Sequence, residues 1–313
     1  MTRYVNPHAP HSRRSFWEVV KWKFGAKKGQ ESDSASIPDG FSYPAVSGPA
    51  TEDKPTATWI GHSTYFIQVD GLNILTDPIW DAYCAPIPIP GLRRKIAPAR
   101  SLSELPPIDF VLLSHNHYDH LDAKTVQYLK RFHPQIHWIV PTGLSSWFAR
   151  RGIKQVTELS WWKSVNFARC AVTAVPAQHF SGRTIWDQNA THWNGYVLET
   201  ANKKLYFVGD TGYNRHDFQA IGDKWRGFDL SLIPIGAYAP RWFMHPVHVS
   251  PFEAVLIHRD VKSTLSLGMH WKTFHLSDEP LHRPPYDLYL AMQEINLPFA
   301  TFLPVEPGVI VNW

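Results

Sequence analysis

Ser114-His115-Asn116-His117-Tyr118-Asp119-His120 places three histidines and an aspartate within six residues, an H-x-H-x-D-H pattern. It follows directly on the continuous apolar run Asp109–Ser114 (DFVLLS). Alternate residues leaving a strand point the same way, so His115 and His117 can share one metal ion. The turn returns Asp119 and His120 beside them for a second. The bland alternative is a solvated polar loop, which leaves many donors and acceptors to satisfy without a metal. Further candidate ligands stand where other apolar runs stop: His179 after CAVTAVPAQ, Asp210 after KLYFVG and His270 after STLSLGM. A single histidine at a strand end is more often structural. Together with the motif, these residues make an N/O-only donor set suited to zinc, and iron or manganese fits the same donors.

Such residues need strands to carry them. The chain has 313 residues, 44% of them hydrophobic and 19% charged, enough to bury a full core. Residues 29–56 are rich in Ser, Pro, Gly and Asp without a hydrophobic period, which marks a linker or a surface-hugging arm. The basic segment and arm therefore occupy 1–56, and the folded domain spans 57–313. Strands are predicted at 57–61, 64–69 and 72–76, the last two joined by the hairpin dipeptide Asp70-Gly71. Further strands are predicted at 109–114, 136–140, 170–175, 195–200, 204–208, 228–234 and 263–269, with extended chain over 300–311. Helices are predicted at 123–132, 144–151 and 285–295. Another follows Ser250-Pro251-Phe252-Glu253, an N-cap serine with proline and glutamate in the first turn. Mixed strands in two runs with helices outside predict an α+β fold, two sheets packed face to face and covered by helices.

Composition excludes several classes. Cys84 and Cys170 are far apart and fit no C-x-x-C pattern, so neither a disulfide scaffold nor a cysteine-based zinc module is supported. The net charge of +4 is concentrated in residues 1–28, where seven basic residues face Glu18 alone. The remainder is mildly acidic, which argues against a nucleic-acid partner. No apolar run is long enough for a transmembrane helix, and Glu18, Lys21 and Lys23 interrupt the stretch that would otherwise imitate a secretory signal. A cytoplasmic protein is expected. Phe16, Val20 and Phe24 lie at helical spacing among lysines and arginines, so residues 13–28 read either as an interfacial helix in peripheral contact with a membrane or as a helix docked on the body. G-x-S-x-G, G-x-G-x-x-G and P-loop motifs are absent, which leaves a serine nucleophile or a nucleotide fold unsupported.

The chain from about Ala57 to Trp313 resembles the metallo-β-lactamase fold superfamily and, within it, the N-acylphosphatidylethanolamine-hydrolysing phospholipases D. The resemblance rests on TWIGHSTYFIQVDG (58–71), LTDPIW (75–80), LPPIDFVLLSHNHYDHLD (105–122), FVGDTGY (207–213), FDLSLIPIGAYAPRWFM (228–244) and GMHW (268–271). It implies a four-layer αββα sandwich with two zinc ions at one edge. His115, His117 and His179 would hold one ion, Asp119, His120 and His270 the other, and Asp210 would bridge. A hydroxide between the metals would attack phosphorus, releasing an N-acylethanolamine and leaving phosphatidate, with Asp119 orienting the nucleophile. His62 and Asp77 match family motifs and would orient metal-bound imidazoles; turn and hairpin chemistry is the competing reading. His248 aligns with a histidine near the substrate phosphate, although His245-Pro246-Val247 departs from the family's more polar lead-in. Arg241, beside Trp242 and Phe243, would neutralise phosphate or cap a structural loop. The resemblance also implies a phospholipid substrate and a homodimer. Alternative activities on the same site are a lactonase or a soluble sugar-phosphate or cyclic-phosphate hydrolase. A metal-stabilised membrane-binding scaffold is the non-catalytic alternative. Asp210 stands only 31 positions after His179, too close for the inserted domain of nuclease relatives.

Overall fold

A computed structural model of the chain describes residues 3–8, 18, 21–22, 36–45, 54–184 and 186–313. Period-two alternation builds the first sheet. Its strands are β1 (Thr56–Gly61), β2 (Thr64–Val69), β3 (Leu72–Thr76), β4 (Phe110–Leu112), β5 (His137–Pro141) and β6 (Val156–Leu159), and β14 (Ile310–Asn312) pairs with β1 at one edge. Trp59, Tyr65, Ile67, Ile74, Leu112 and Ile139 face inward into the main core. Their neighbours Ile60, Phe66, Leu75, Val111, Trp138 and Val140 face the other way, against Val126 and Leu129 of α1 (Ala123–Phe132) and Phe148 of α2 (Ser145–Ala149). That two-sided burial is why DFVLLS is apolar without interruption. Asp70 and Gly71 both have positive φ, 46° and 72°, as the tight β2–β3 hairpin requires.

The second sheet holds β7 (Ser164–Asn166), β8 (Ala171–Val175), β9 (Gly195–Glu199), β10 (Lys204–Phe207), β11 (Phe228–Pro234), β12 (Ser263–Met269) and β13 (Phe302–Leu303), hydrogen-bonded in sequence order. Both sheets are mixed, antiparallel at one end and parallel at the other. Val172, Tyr196, Leu205, Leu230 and Leu267 join the inward residues of the first sheet in one core. That core continues into α3 (Arg215–Trp225), α5 (Pro251–Asp260) and α6 (Pro284–Ile295) on the far side through Phe218, Val255 and Leu288. The result is helix on sheet on sheet on helix.

Four elements absent from the sequence reading appear: strands β6 and β7, helix α3, capped by Asn214 on the Asp217 N–H, and the single-turn α4 (Arg241–Met244). The expected cap on α5 is present, with Ser250 and Glu253 forming a reciprocal capping box. The described parts of 1–56 lie on the body. Tyr43 donates to the Phe302 carbonyl at 2.8 Å, and Phe41 packs edge-on against Tyr286 of α6. Most of 13–28, including Phe16, Val20 and Phe24, lies outside the described residues. Of that segment, Trp22 stacks on Phe243 and donates to Asp278 at 2.9 Å, and Lys21 lies over the Trp242 ring.

Candidate metal centre

The candidate ligands converge from strand ends of both sheets. The loop after β4 carries His115, His117, Asp119 and His120; the turns after β8, β10 and β12 carry His179, Asp210 and His270. Two donor groups form. His115, His117 and His179 place one ligand atom each within 4.8 Å of the others, and so do His62, Asp119, His120 and His270. Asp210 Oδ2 lies between the groups, 3.2 Å from His120 Nε2, 3.0 Å from His270 Nε2 and 3.9 Å from His179 Nε2.

Outer hydrogen bonds orient the rings. His179 Nδ1 donates to the Val247 carbonyl at 2.9 Å, His115 Nδ1 to Ser114 Oγ at 2.8 Å and His120 Nδ1 to Asp77 Oδ2 at 2.6 Å. With the proton on Nδ1, the Nε2 lone pair of each ring is left for the interior. His115 Nε2 lies 2.8 Å from His117 Nδ1, and His179 Nε2 lies 3.3 Å from that same atom. Three nitrogens facing one another in a buried spot are poorly satisfied by any proton arrangement and well satisfied by a cation. His120 Nε2, His270 Nε2 and Asp210 Oδ1 are likewise buried without a hydrogen-bond partner. The residues therefore fit a metal centre by their own chemistry, with imidazole nitrogens and carboxylate oxygens only.

Asp77 sits under this arrangement, wholly buried, accepting from the Ser114 N–H at 2.6 Å and Ser114 Oγ at 2.5 Å as well as from His120. His62 reaches Asp119 Oδ2 at 2.9 Å, as near to the carboxylate as any candidate ligand. Its backbone carbonyl accepts from the His270 N–H at 3.0 Å. His62, Asp77 and His270 all have positive φ, of 55°, 31° and 62°, and such strained residues persist only where surrounding contacts hold them.

Electrostatics divides the groups. Burial, then the neighbouring His179, lowers His117 to about 3, and burial lowers His179 to about 4. Burial, then His270, lowers His62 to about 3. These imidazoles are neutral and ready to ligate. On His270 burial acts in the opposite direction but is outweighed by the nearby carboxylates of Asp210 and Asp119, giving about 9. Burial also opposes the carboxylates around His120, which still hold its proton well above the ordinary range.

The signs define a pH profile for the metal-free protein. Lowered histidines take up protons on unfolding below about pH 6.5, so stability falls as pH drops toward 4. His270 contributes stability that is complete below about pH 6.5 and is lost as pH rises through about 9. Chelator-stripped protein is therefore expected to show its highest urea midpoint near neutrality, with losses on both sides. A midpoint rising monotonically from pH 6 to 9.5 contradicts the assignment for His270.

His248 lies at the rim, with its side chain 15% exposed and Nδ1 3.9 Å from Asp210. Arg241 spans from Glu253, at 2.7 Å, to the His248 carbonyl, at 2.9 Å, and so ties the rim loop to α5. Trp242 beside it is 39% exposed. The loop leading into α4 hangs on Glu279, a residue the sequence reading passed over. Its carboxylate accepts from the Ala237, Tyr238 and Ala239 N–H groups at 2.6, 3.3 and 2.9 Å and from Ser277 Oγ at 2.7 Å. Glu279→Ala strands those donors and is expected to cost about 3 kcal/mol of unfolding free energy. Denaturant unfolding checks this, and a change below about 1 kcal/mol contradicts it. Thr273 and Val247, which hold His62 and His179, also carried no signal in the sequence.

A two-sheet sandwich with histidine and aspartate donors gathered at strand ends defines a metallohydrolase architecture. Residues 72–271 match the family profile described as "Beta-lactamase superfamily domain". The N-acyl-phosphatidylethanolamine-hydrolyzing phospholipase D 1 of Caenorhabditis elegans is 38% identical over 265 residues, covering 81% of this chain and 74% of that protein. A UPF0173 metal-dependent hydrolase of Methanopyrus kandleri is 27% identical over 254 residues, covering 80% of this chain and 96% of that protein. The solved structure of Igni18, a metallo hydrolase of Ignicoccus hospitalis, superposes with a TM-score of 0.62 at 20% identity, covering 83% of this chain and 98% of that one. The chain belongs to the beta-lactamase superfamily of metal-dependent hydrolases, in the family that contains the Caenorhabditis elegans phospholipase D.

Proposed function

We propose that the chain is a zinc-dependent phosphodiesterase of phospholipase D type, cleaving N-acylphosphatidylethanolamine to N-acylethanolamine and phosphatidate. The observation that carries this reading is the pair of donor groups on either side of Asp210, joined to the likeness to a phospholipase D over most of the chain. His115, His117 and His179 would hold one zinc ion and Asp119, His120 and His270 a second, with Asp210 shared. Bound zinc supplies Lewis acidity to the phosphoryl oxygens and acidifies water toward neutral pH. Asp119, anionic and 15% exposed, is held by His62 and would accept a hydrogen bond from the attacking water and so orient it. His248, kept neutral by burial, offers an N–H to a phosphoryl oxygen. Arg241 acts through His248 by gripping its carbonyl, and the exposed Trp242 face offers apolar surface for lipid chains. Trp22 sits on Phe243 and Lys21 over Trp242, and the basic composition of residues 13–28 suits contact with a membrane surface. No helix among the described residues is long and apolar enough to cross one.

The test is hydrolysis of N-acylphosphatidylethanolamine in mixed micelles by metal-quantified protein, beside His117→Ala and a panel of soluble lactones and phosphodiesters. Lipid turnover to phosphatidate, lost in the variant, is the expected result. Cleavage of a soluble substrate alone overturns the lipid reading and leaves the lactonase or soluble phosphohydrolase reading in its place.

A further inference from the structure

The N-terminal residues 3–8 belong by composition to a basic arm fifty residues before the first strand. In the fold they form a strap across the segment that bears His179. Tyr4 and Asn189 exchange hydrogen bonds, N–H to carbonyl at 2.9 Å and side-chain amide to carbonyl at 3.1 Å. Arg3 donates to the Gln188 and Trp186 carbonyls, and His8 ends the strap 3.6 Å from Asp217 on α3. Between these anchors Asn6 is driven inward, to 5% exposure. Its Nδ2 donates to the His179 carbonyl at 2.7 Å, and its Oδ1 accepts from Trp193 Nε1 at 3.1 Å. Trp193 Nε1 also reaches the Ala177 carbonyl at 2.9 Å. The Asn6 amide thus buckles the 177–179 turn to the 192–194 segment, whose Asn194 N–H bonds the Ser114 carbonyl just before the H-x-H motif.

His179 is consequently held from two sides: its ring by the Val247 carbonyl, its backbone by Asn6. A backbone carbonyl beside a candidate ligand, bonded by a buried amide from a distant part of the chain, has a cost and a purpose. A buried amide is tolerated only when satisfied, and here its donor is directed onto the residue whose placement the centre needs. We propose that Asn6 is a positioning residue for His179, the one residue of the 3–8 strap that acts on the candidate metal centre. This rests on the metal reading above. It also makes integrity of the N-terminus a condition for full metal affinity, which a tail would not.

The test compares Asn6→Ala, Asn6→Asp and Arg3→Ala in the full chain. Asn6→Asp keeps the acceptor for Trp193 and removes the donor to His179, so it separates positioning from packing. Zinc affinity is measured by competition with a chromophoric chelator, and ligand geometry by the visible spectrum of the cobalt-loaded protein. Amide hydrogen exchange over residues 177–181 is followed in stripped protein. Both Asn6 variants are expected to bind the zinc ion of the His115, His117 and His179 group about tenfold less tightly, with an altered cobalt spectrum and faster exchange at 177–181. Arg3→Ala is expected to stay within about twofold of the parent on all three. The proposal is overturned if Asn6→Asp matches the parent in affinity and exchange, or if Arg3→Ala loses as much as Asn6→Ala. Should the parent chain bind no metal, the proposed function falls, and the exchange rates alone decide whether Asn6 fixes His179.

Discussion

Asp210→Asn is expected to retain the fold, bind fewer than two zinc ions per chain and turn over substrate at least about 10³-fold more slowly, the rate equivalent of several kcal/mol of lost charge stabilisation. The substitution preserves volume and one carbonyl oxygen. It removes the negative charge that lies within 3.2 Å of both His120 and His270. Asp210 is anionic because those two imidazoles, acting against burial, hold its carboxyl well below the usual range. Its other oxygen, Oδ1, is buried without a hydrogen-bond partner, which is the signature of a carboxylate with a second interaction to make. An amide cannot serve two cations in this way. Metal analysis and kinetics on the same preparation check the result, and a variant with two zinc ions and a parental rate contradicts a shared role for Asp210.

The second large effect is on stability. Asp77→Ala removes a wholly buried carboxylate that accepts three hydrogen bonds, two from Ser114 and one from His120. Removing one partner of a buried ionic contact costs about 3–5 kcal/mol, a large share of the 5–15 kcal/mol that holds a domain together. The His120 proton on Nδ1 then has no acceptor, so the ring loses its orientation as well. Unfolding in urea with and without zinc separates the two consequences. The variant is expected to unfold at lower urea in both conditions and to gain less from added zinc than the parent. A midpoint unchanged in stripped protein contradicts the structural role of Asp77.

The candidate centre was legible in sequence because its donor residues stand where apolar strands stop, and a strand end leaves few directions for a side chain. His115 to His120, His179, Asp210 and His270 all obey that rule. The sandwich was legible for a related reason: residues such as Ile74 and Leu75 point to opposite cores, so uninterrupted apolar strands require cover on both faces. Helix α3 escaped because its first turn, Arg215-His216-Asp217, is polar and Gly222 breaks the apolar pattern. That glycine has a packing reason, since a Cβ there would lie 2.1 Å from the Asp260 carbonyl of α5. His62 and Asp77 were identified only through likeness to a family. Their positive φ and buried partners come from tertiary contacts that no local preference reveals. Arg241 was readable as a phosphate ligand or a loop clamp, and its bonds to Glu253 and the His248 carbonyl describe a clamp. Asn6 lies furthest from local reasoning, because its partner is 173 residues away in the chain.

The most direct measurement is hydrolysis of N-acylphosphatidylethanolamine in water enriched in ¹⁸O, with zinc-loaded and chelator-stripped protein, followed by mass analysis of both products. The account predicts one ¹⁸O atom in phosphatidate, none in the N-acylethanolamine, and no conversion without metal. Label in the N-acylethanolamine, or turnover by the stripped protein at the loaded rate, would contradict it.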